Sequence, residues 1–581
     1  MYQLIVTEIM VLRRATFLAI AVHVFLTISE MIMNAKPVSC WSSIVKYLKS
    51  AVPWSFAAFA VSLITLFPLP VRAQPTVEWQ AVFGGTNYDE CNVVLEADGG
   101  GYILAGDSLS SPSGNKTNVL DFDAYDCWLI KTDPGGNKLW EQVFGGDGND
   151  RLYTMIKTAD GGYLFGGLST SSEGSGNKSA PRRNGSGITD FWIVKTDANG
   201  NRLWDQSYGG TSSDTLSCIL PTADDGYLLG GYSASTTNGT VSNKTADLIG
   251  GYDFWVIKTD TNGVILWQQT YGGTNNDFLY TMLPTGDGGF LLGGESTSPA
   301  SGNKTNESIG LYDYWLVRID ENGNKLWDRC YGGIDQDWML SIQPTMDGGY
   351  ILAGTSASDN FGGPPVNRTA PSFDYEDYWV VNVDANGNPL WDEAFGGNDS
   401  DYLSVILPTS DGGFLAGGFS YSPSSGNKTG TNYGPNSLED YWIVKMDADG
   451  YKQWDQVFGG TDWDDLYNML ATSDGGFMLC GSSQAPMSGN KTVGDFGEGD
   501  YWVIKLASDM MPEPLLTISR AAADVMLTWP LPSTGFELEQ NSDLTTTNWT
   551  GVNSPVVDDG TNKITYVPIG SGKAYFRLKH P

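Results

Sequence analysis

Two series of tryptophans recur along this chain at fixed distances, and no other feature limits the fold as much. One series is Trp79, Trp140, Trp204, Trp267, Trp327, Trp391 and Trp454; the other is Trp128, Trp192, Trp255, Trp315, Trp379, Trp442 and Trp502. From a Trp of the second series to the next of the first is always 12 residues, and ten further stands an Asp: Asp89, Asp150, Asp214, Asp277, Asp337, Asp401 or Asp464. Thirteen beyond that comes an aromatic, Tyr102, Tyr163, Tyr227, Phe290, Tyr350, Phe414 or Phe477, and only the leg back to the next Trp varies, from 25 to 29 residues. All the length freedom therefore lies in one loop of each repeat.

Between these markers the hydrophobicity alternates with period two. Phe191-Trp192-Ile193-Val194-Lys195 leads through Asp197-Ala198-Asn199-Gly200 to Leu203, Trp204 and Tyr208, which reads as a β-hairpin with Gly200 supplying a positive φ. A second hairpin turns at Asp-Gly-Gly, as at Asp287-Gly288-Gly289. Each repeat thus holds four short strands: A after the fixed Asp, B after the Asp-Gly-Gly turn, then C and D around the two tryptophans. No helical period competes with them. The fold class is all-β, and seven such units predict a seven-bladed β-propeller of four-stranded blades over 74–508. A solenoid is the alternative, but its end repeats should look like caps, and these do not.

The ends of the array predict closure. The first element is a lone D strand, 77–83, and the last a lone C strand, 501–506, so the final unit must take its D strand from the N-terminal side. That exchange leaves no unpaired sheet edge at the junction. The C–D hairpin resembles the tryptophan-docking motif of quinoprotein and outer-membrane-assembly propellers. Gly200 and Trp204 match its spacing, while Val194 stands where that family prefers Ala. More widely the unit is similar to Trp- and Asp-Gly-Gly-rich repeats of secreted bacterial proteins. The resemblance implies the propeller fold and a Trp packed between neighbouring blades; no quinone-binding constellation accompanies it, and no cofactor is expected.

Residues 1–73 read as a leader. Lys46 and Lys49 precede the uncharged run 51–71, and Val71-Arg72-Ala73 before Gln74 fits a cleavage site of a secretory signal. A retained membrane anchor is the competing reading, since that run is long enough to span a bilayer. An earlier basic-then-apolar pattern from Arg13-Arg14 fits a translation start at Met31 or Met33. At the other end, 509–514 is a linker, and 515–581 carries short alternating strands resembling a fibronectin type III-like β-sandwich, usually a spacer or attachment unit.

Composition narrows the chemistry. The formal net charge is −34, which repels nucleic acids and anionic membranes. The two histidines, His23 and His580, fall outside the repeats, so imidazole-based nucleophile systems and His-ligated zinc are excluded from them. Asp-x-Asn-Gly-Asn turns such as 197–201 mimic the start of an EF-hand loop but lack its Glu and its helices. Cys91, Cys127 and Cys480 replace apolar residues of other copies and read as core fillers.

Two sets of residues are candidates for a site. The seven fixed Asp would ring the channel mouth if A is the innermost strand; in the alternative each accepts backbone N–H groups of the Gly-Gly turn before it. D–A and B–C connections share one face, where aromatics unmatched in other copies gather: Trp338, Trp463, Phe361, Phe373, Tyr375, Tyr421, Tyr433 and Phe496. Aromatics among Asn, Asp and Gly suit sugar rings. The expectation is a secreted or cell-surface bacterial binding protein, monomeric, with a polysaccharide or a cell-surface protein as partner, no nucleic acid, and no membrane for the mature chain if the leader is cleaved. The alternative is an endo-acting glycoside hydrolase, for which Asp374, Glu376, Asp495 and Glu498 break the repeat pattern. Near-equivalence of the copies favours binding over catalysis. Seven Asn-Lys-Thr-like sequons, at Asn115, Asn177, Asn243, Asn303, Asn367, Asn427 and Asn490, read as unmodified turns.

Overall fold

A computed structural model describes residues 74–579, apart from 119–123, 184, 186, 238–241, 359–366, 435–437, 509–515, 522–523, 531–536, 543–547, 553, 559–561 and 569–573. The leader and the linker thus lie outside the described residues. No helix among those described is long and apolar enough to cross a membrane.

Seven four-stranded antiparallel sheets follow one another, each in the order A-B-C-D. In the first, A is Asp89–Glu96, B Tyr102–Ser108, C Asp126–Thr132 and D Lys138–Phe144. Five more span 150–208, 214–271, 277–331, 337–395 and 401–458. In the seventh, Asp464–Ala471, Phe477–Ser483 and Asp500–Leu506 are completed by Val77–Phe83, which pairs antiparallel with Asp500–Leu506 from Val77 opposite Leu506 to Phe83 opposite Tyr501. The repeat pattern had required that pairing.

The C–D turn depends on one glycine, whereas the A–B turn takes its positive φ at a glycine in most copies and at Asp225 in the third. In the C–D turn Asp197 N–H donates to Asn201 O and Gly200 N–H to Asp197 O, and Gly200 alone takes a positive φ, 78°. This is a type I turn closed by a left-handed Gly, not a two-residue Asn-Gly turn. Asp197 Oδ1 accepts the N–H groups of Asn199 and Asn201, which fixes the turn without an ion.

That glycine also seats the neighbouring sheet. A Cβ on Gly136, Gly200, Gly263, Gly323, Gly387 or Gly450 would fall between 2.7 and 3.3 Å from the ring of Trp79, Trp140, Trp204, Trp267, Trp327 or Trp391, each from the preceding sheet. Trp79, in the seventh sheet, docks on the first in this way, and its indole N–H donates to Pro134 O at 3.1 Å. Strand C makes a second link. Tyr314, Tyr378 and Tyr441 hydroxyls donate to Trp379, Trp442 and Trp502 carbonyls of the next sheet, and Tyr501 does the same to Trp128 of the first. One hydrophobic cluster fills each junction, including one of Phe83, Cys91, Trp128, Cys480 and Tyr501 between seventh and first.

The C-terminal residues form two further antiparallel sheets. One orders 517–521, 524–530, 562–568 and 556–558, the other 550–551, 537–541 and 575–579. Leu527, Trp529 and Leu538 are buried in a small core of their own.

Candidate functional site

The site begins with an irregularity common to all seven A strands. Pairing with strand B slips between Cys91 and Val93, Leu152 and Thr154, Leu216 and Cys218, Leu279 and Thr281, Met339 and Ser341, Leu403 and Val405, and Leu466 and Asn468. A bulge re-aims the extra side chain and frees it from the packed face. The bulged residues are Asn92, Tyr153, Ser217, Tyr280, Leu340, Ser404 and Tyr467, all half-buried. Two positions earlier stand Glu90, Arg151, Thr215, Phe278, Trp338, Tyr402 and Asp465. In repeats that otherwise hold the same residue types, these two positions carry acids, a cation, hydroxyls and aromatics in no repeated order. Chemistry belonging to the molecule rather than to the repeat therefore gathers here.

The seven copies bring these side chains into clusters. Over the fifth and sixth sheets Trp338 stacks with Tyr402, centroids 6.4 Å apart and planes at 23°, and Tyr402 meets Phe419 at 5.3 Å and Tyr421 at 6.3 Å. Over the third and fourth, Tyr232, Tyr252, Phe278 and Tyr280 pack together, and the Tyr280 hydroxyl donates to Glu295 Oε1 at 3.0 Å. Burial pushes Glu295 up to about 8. Arg151 lies over the Tyr125 ring at 3.9 Å and contacts Glu90 and Asp107 at 3.1 and 3.5 Å. Asp107 also accepts the Leu152 N–H at 2.6 Å, yet burial drives its carboxyl well above the ordinary range. Among the described residues no group of three or more His, Cys, Asp and Glu is arranged to hold a metal.

The seven fixed Asp are fully buried. Each accepts, through Oδ2, the second N–H of its Gly-Gly turn at 2.7–3.0 Å. In six copies a Ser hydroxyl joins it at 2.6–3.0 Å, and Ala485 stands at that place in the seventh. They hold their own turns and open to no solvent. Sequence reading overlooked their partners, the Asp that opens each C strand: Asp126, Asp190, Asp253, Asp313, Asp377, Asp440 and Asp500, all buried. A Cβ on Gly145 would touch both Asp126 and Asp150, so the two carboxyls flank one glycine. Burial first, then the neighbouring carboxylate, raises Asp126 to about 8, and burial raises Asp150 to about 6. The Lys or Arg of the sequon turn lies buried beside each pair; Lys244, for example, donates to Ser233 Oγ and Ser235 O.

The sequon asparagines are fully engaged. Each Asn Oδ1 accepts the first Gly N–H of the D–A turn at 2.8–3.0 Å. Each Nδ2 donates to a strand D carbonyl at 2.7–3.0 Å.

The loop aromatics separate into groups. Trp338 and Tyr421 come together with Tyr402 in the stack described above. Phe373, Tyr433 and Phe496 lie against Gly426, Gly489 and Gly114 of the next repeat, where Ile249 covers Gly302. They are equivalents of one covering residue, although Tyr433 and Phe496 remain 43% exposed. Tyr375 and Trp463 are exposed on the loops, and Phe361 lies outside the described residues. Of the acids considered for hydrolysis, Glu376 accepts the Ser400 hydroxyl at 2.6 Å, whereas Asp374 and Glu498 are exposed and Asp495 half-buried. No contact among the described residues joins Asp374 and Glu376 to Asp495 and Glu498.

One sequence signal could have located this site. Along each A strand the buried residues are three apart, as Leu279 and Met282 or Leu403 and Ile406, which a regular strand of period two cannot provide. That spacing marks the bulge.

No family model matches this chain. It is 27% identical over 218 residues to the regulatory protein FlaEY of Caulobacter vibrioides, a stretch covering 36% of this chain and 22% of that protein's length. Among solved structures it is similar to puromycin hydrolase (11% identity, 77% of this chain and 59% of that one, TM-score 0.40). It is similar also to the Pan2 WD40 domain of Neurospora crassa (8%, 71% and 88%, TM-score 0.36) and to a putative gluconolactonase (10%, 61% and 87%, TM-score 0.28). At these TM-scores the overlaps say nothing about chemistry.

Proposed function

We propose that this chain is a closed seven-bladed propeller with a fibronectin type III-like module, acting as a monomer at the bacterial cell surface or beyond it. Its ligand is a polysaccharide, held on the face of the D–A and B–C loops at the inner rim. What supports the ring is that seventh and first sheets meet through the Trp-on-Gly contact that recurs from the first sheet to the sixth, and through the Tyr-to-carbonyl contact that recurs from the fourth to the seventh. What supports the module is the pair of small sheets around Leu527, Trp529 and Leu538. Export is supported by the leader pattern of 51–73 and by the acidic composition. The carrying observation for the ligand is the half-exposed Trp338–Tyr402 stack, two flat rings at strand positions where no other copy has the same pair. Sugar rings lay their apolar faces on such surfaces, and the hydroxyls and amides around them take the equatorial oxygens.

The test is depletion of the protein from solution by insoluble polysaccharides, with reducing ends assayed in parallel. Retention without release is expected, and Trp338→Ala or Tyr402→Ala should weaken it by about tenfold, the worth of one aromatic contact. Release of reducing ends would refute the binding role and turn attention to the carboxylates of the loop face. Failure of every polysaccharide to retain the protein would refute the ligand class.

A further inference from the structure

At the junction of the sixth and seventh sheets two carboxyl groups are neighbours, and no ion pair reaches either of them among the described residues. Glu439 precedes strand C of the sixth sheet, and Asp465 is the second residue of strand A of the seventh. The Glu439 carbonyl accepts the Asp464 N–H at 3.0 Å, which sets the two acids side by side, and the Glu439 charge acts on the Asp465 carboxyl. Glu439 is buried and takes the Tyr421 hydroxyl, while its Oε2 meets no donor among the described residues. Asp465 receives the Tyr467 hydroxyl at a long 3.4 Å, and Glu90 of the first sheet adds its negative charge from the other side. Arg151, which pairs with Glu90, is held by Asp107 and the Tyr125 ring as well. A buried acceptor with no donor is costly, and a charged one more so. A protonated amine carries three donors and one positive charge, which is what this pair lacks.

The adjoining surface indicates what carries the amine. Tyr421, bonded to Glu439, stands edge-on to Tyr402 at 78°, and Tyr402 stacks with Trp338. A flat aromatic pair thus runs directly into a carboxyl pair. Aromatic faces favour both the C–H face of a pyranose and an ammonium held near it. We infer that this rim, from Trp338 to Asp465, binds an amino sugar, with its ring on Trp338 and Tyr402 and its ammonium on Glu439 and Asp465. The inference rests on the polysaccharide reading above and narrows it to a polycationic polymer. The formal charge of −34 works in the same direction, drawing polycations in and repelling anionic polysaccharides.

The experiment is calorimetric titration of the whole protein with glucosamine oligomers and with N-acetylglucosamine oligomers of equal length, at mildly acidic pH and at low and high salt. The amino form should bind at least about tenfold tighter at low salt, and the difference should shrink as salt screens the charges. Glu439→Gln keeps the side-chain shape and should bring the affinity for the amino oligomer down to that for the acetylated one; Asp465→Asn should do the same, and Trp338→Ala should weaken both ligands. Circular dichroism establishes that each variant is folded. Equal affinity for the two oligomers, or a preference that survives both carboxyl substitutions, overturns the inference while leaving polysaccharide binding intact. If neither oligomer nor any neutral polysaccharide is bound, both readings fall together.

Discussion

Ring closure can be measured through a single oxygen atom. Tyr378 and Tyr501 occupy the same place in their repeats, are fully buried, and donate to a carbonyl of the next sheet at 2.9 and 3.1 Å, to Trp442 and to Trp128. Their rings also pack alike, with centroids 4.7 and 5.0 Å from those tryptophans. Phe191 and Phe254 hold that position in the second and third sheets, 4.8 and 4.6 Å from their own neighbouring Trp, so a phenyl ring fits without its hydroxyl. Tyr→Phe at either site therefore removes one buried hydrogen bond and nothing else, a loss of about 1 kcal/mol. If the seventh sheet is bound to the first as the others are bound to each other, both variants lose that amount in urea unfolding, and the double variant loses the sum, since distant sites add. An unchanged midpoint for Tyr501→Phe, with Tyr378→Phe destabilised, would refute the ring. No change in either would refute the hydrogen-bond argument itself.

Other outcomes follow from the same packing. Gly387→Ala places a Cβ 3.0 Å from the Trp327 ring at a φ of 76°, and Gly348→Ala puts one into open space at a φ of 88°. Both should lower thermal stability, the second by about 1 kcal/mol from backbone strain and the first by more. Asn303→Ala removes a donor and an acceptor that tie the sequon turn to Gly272 and Thr270, and should cost about 2 kcal/mol. Expression in a glycosylating host, followed by intact-mass measurement, should find the seven repeat asparagines unmodified; a glycan on any of them in folded protein would refute their structural role. The buried Asp pairs set a pH dependence. Asp377 and Asp440 are raised to about 8 and Asp337 and Asp464 to about 7, above the value near 3.8 of an unfolded chain, so the folded state holds protons that the unfolded state releases. Their stabilisation is complete below pH 4 and is lost as the pH rises toward 8, so the melting temperature should be higher at pH 5 than at pH 8. A melting temperature that rises over that interval would refute the assignment.

The sequence made the strand order, the turns and the borrowed D strand legible because each is written in local chemistry repeated seven times. Gly200 and Trp204, read as a docking pair from their spacing, do pack in that way, although each on a different neighbour: Gly200 on Trp140 and Trp204 on Gly263. Contacts between repeats were harder to see. Phe496 looks unique in its own loop, and only its position four residues before Asp500 identifies it with Ile249 before Asp253 as the cover of a neighbour's glycine. The Asp pairing is equally periodic, the strand C Asp standing 24 residues before its partner as Asp126 does before Asp150, but it joins the end of one repeat to the start of the next. The cluster along the A strands was hidden for the opposite reason. Glu90, Arg151, Phe278, Trp338 and Tyr402 differ among copies, and a search tuned to what recurs passes over them.

The borrowed strand also governs how such a chain can be made. Val77–Phe83 is synthesised first and finds its partner, Asp500–Leu506, last, more than four hundred residues later. Until then the first D strand and the last C strand each keep an open edge that can pair with another molecule. A contact between such distant segments is slow to form, because the whole intervening chain must be ordered before the ends meet. Ala507 N–H reaches Thr76 and the Gln74 amide reaches the Asp455 carbonyl of the sixth sheet, so the clasp extends beyond the start of Val77–Phe83 and the end of Asp500–Leu506. The joint therefore reports on the far end of the array: a chain truncated before Asp500 lacks the strand that receives Val77–Phe83 and leaves that strand's backbone exposed.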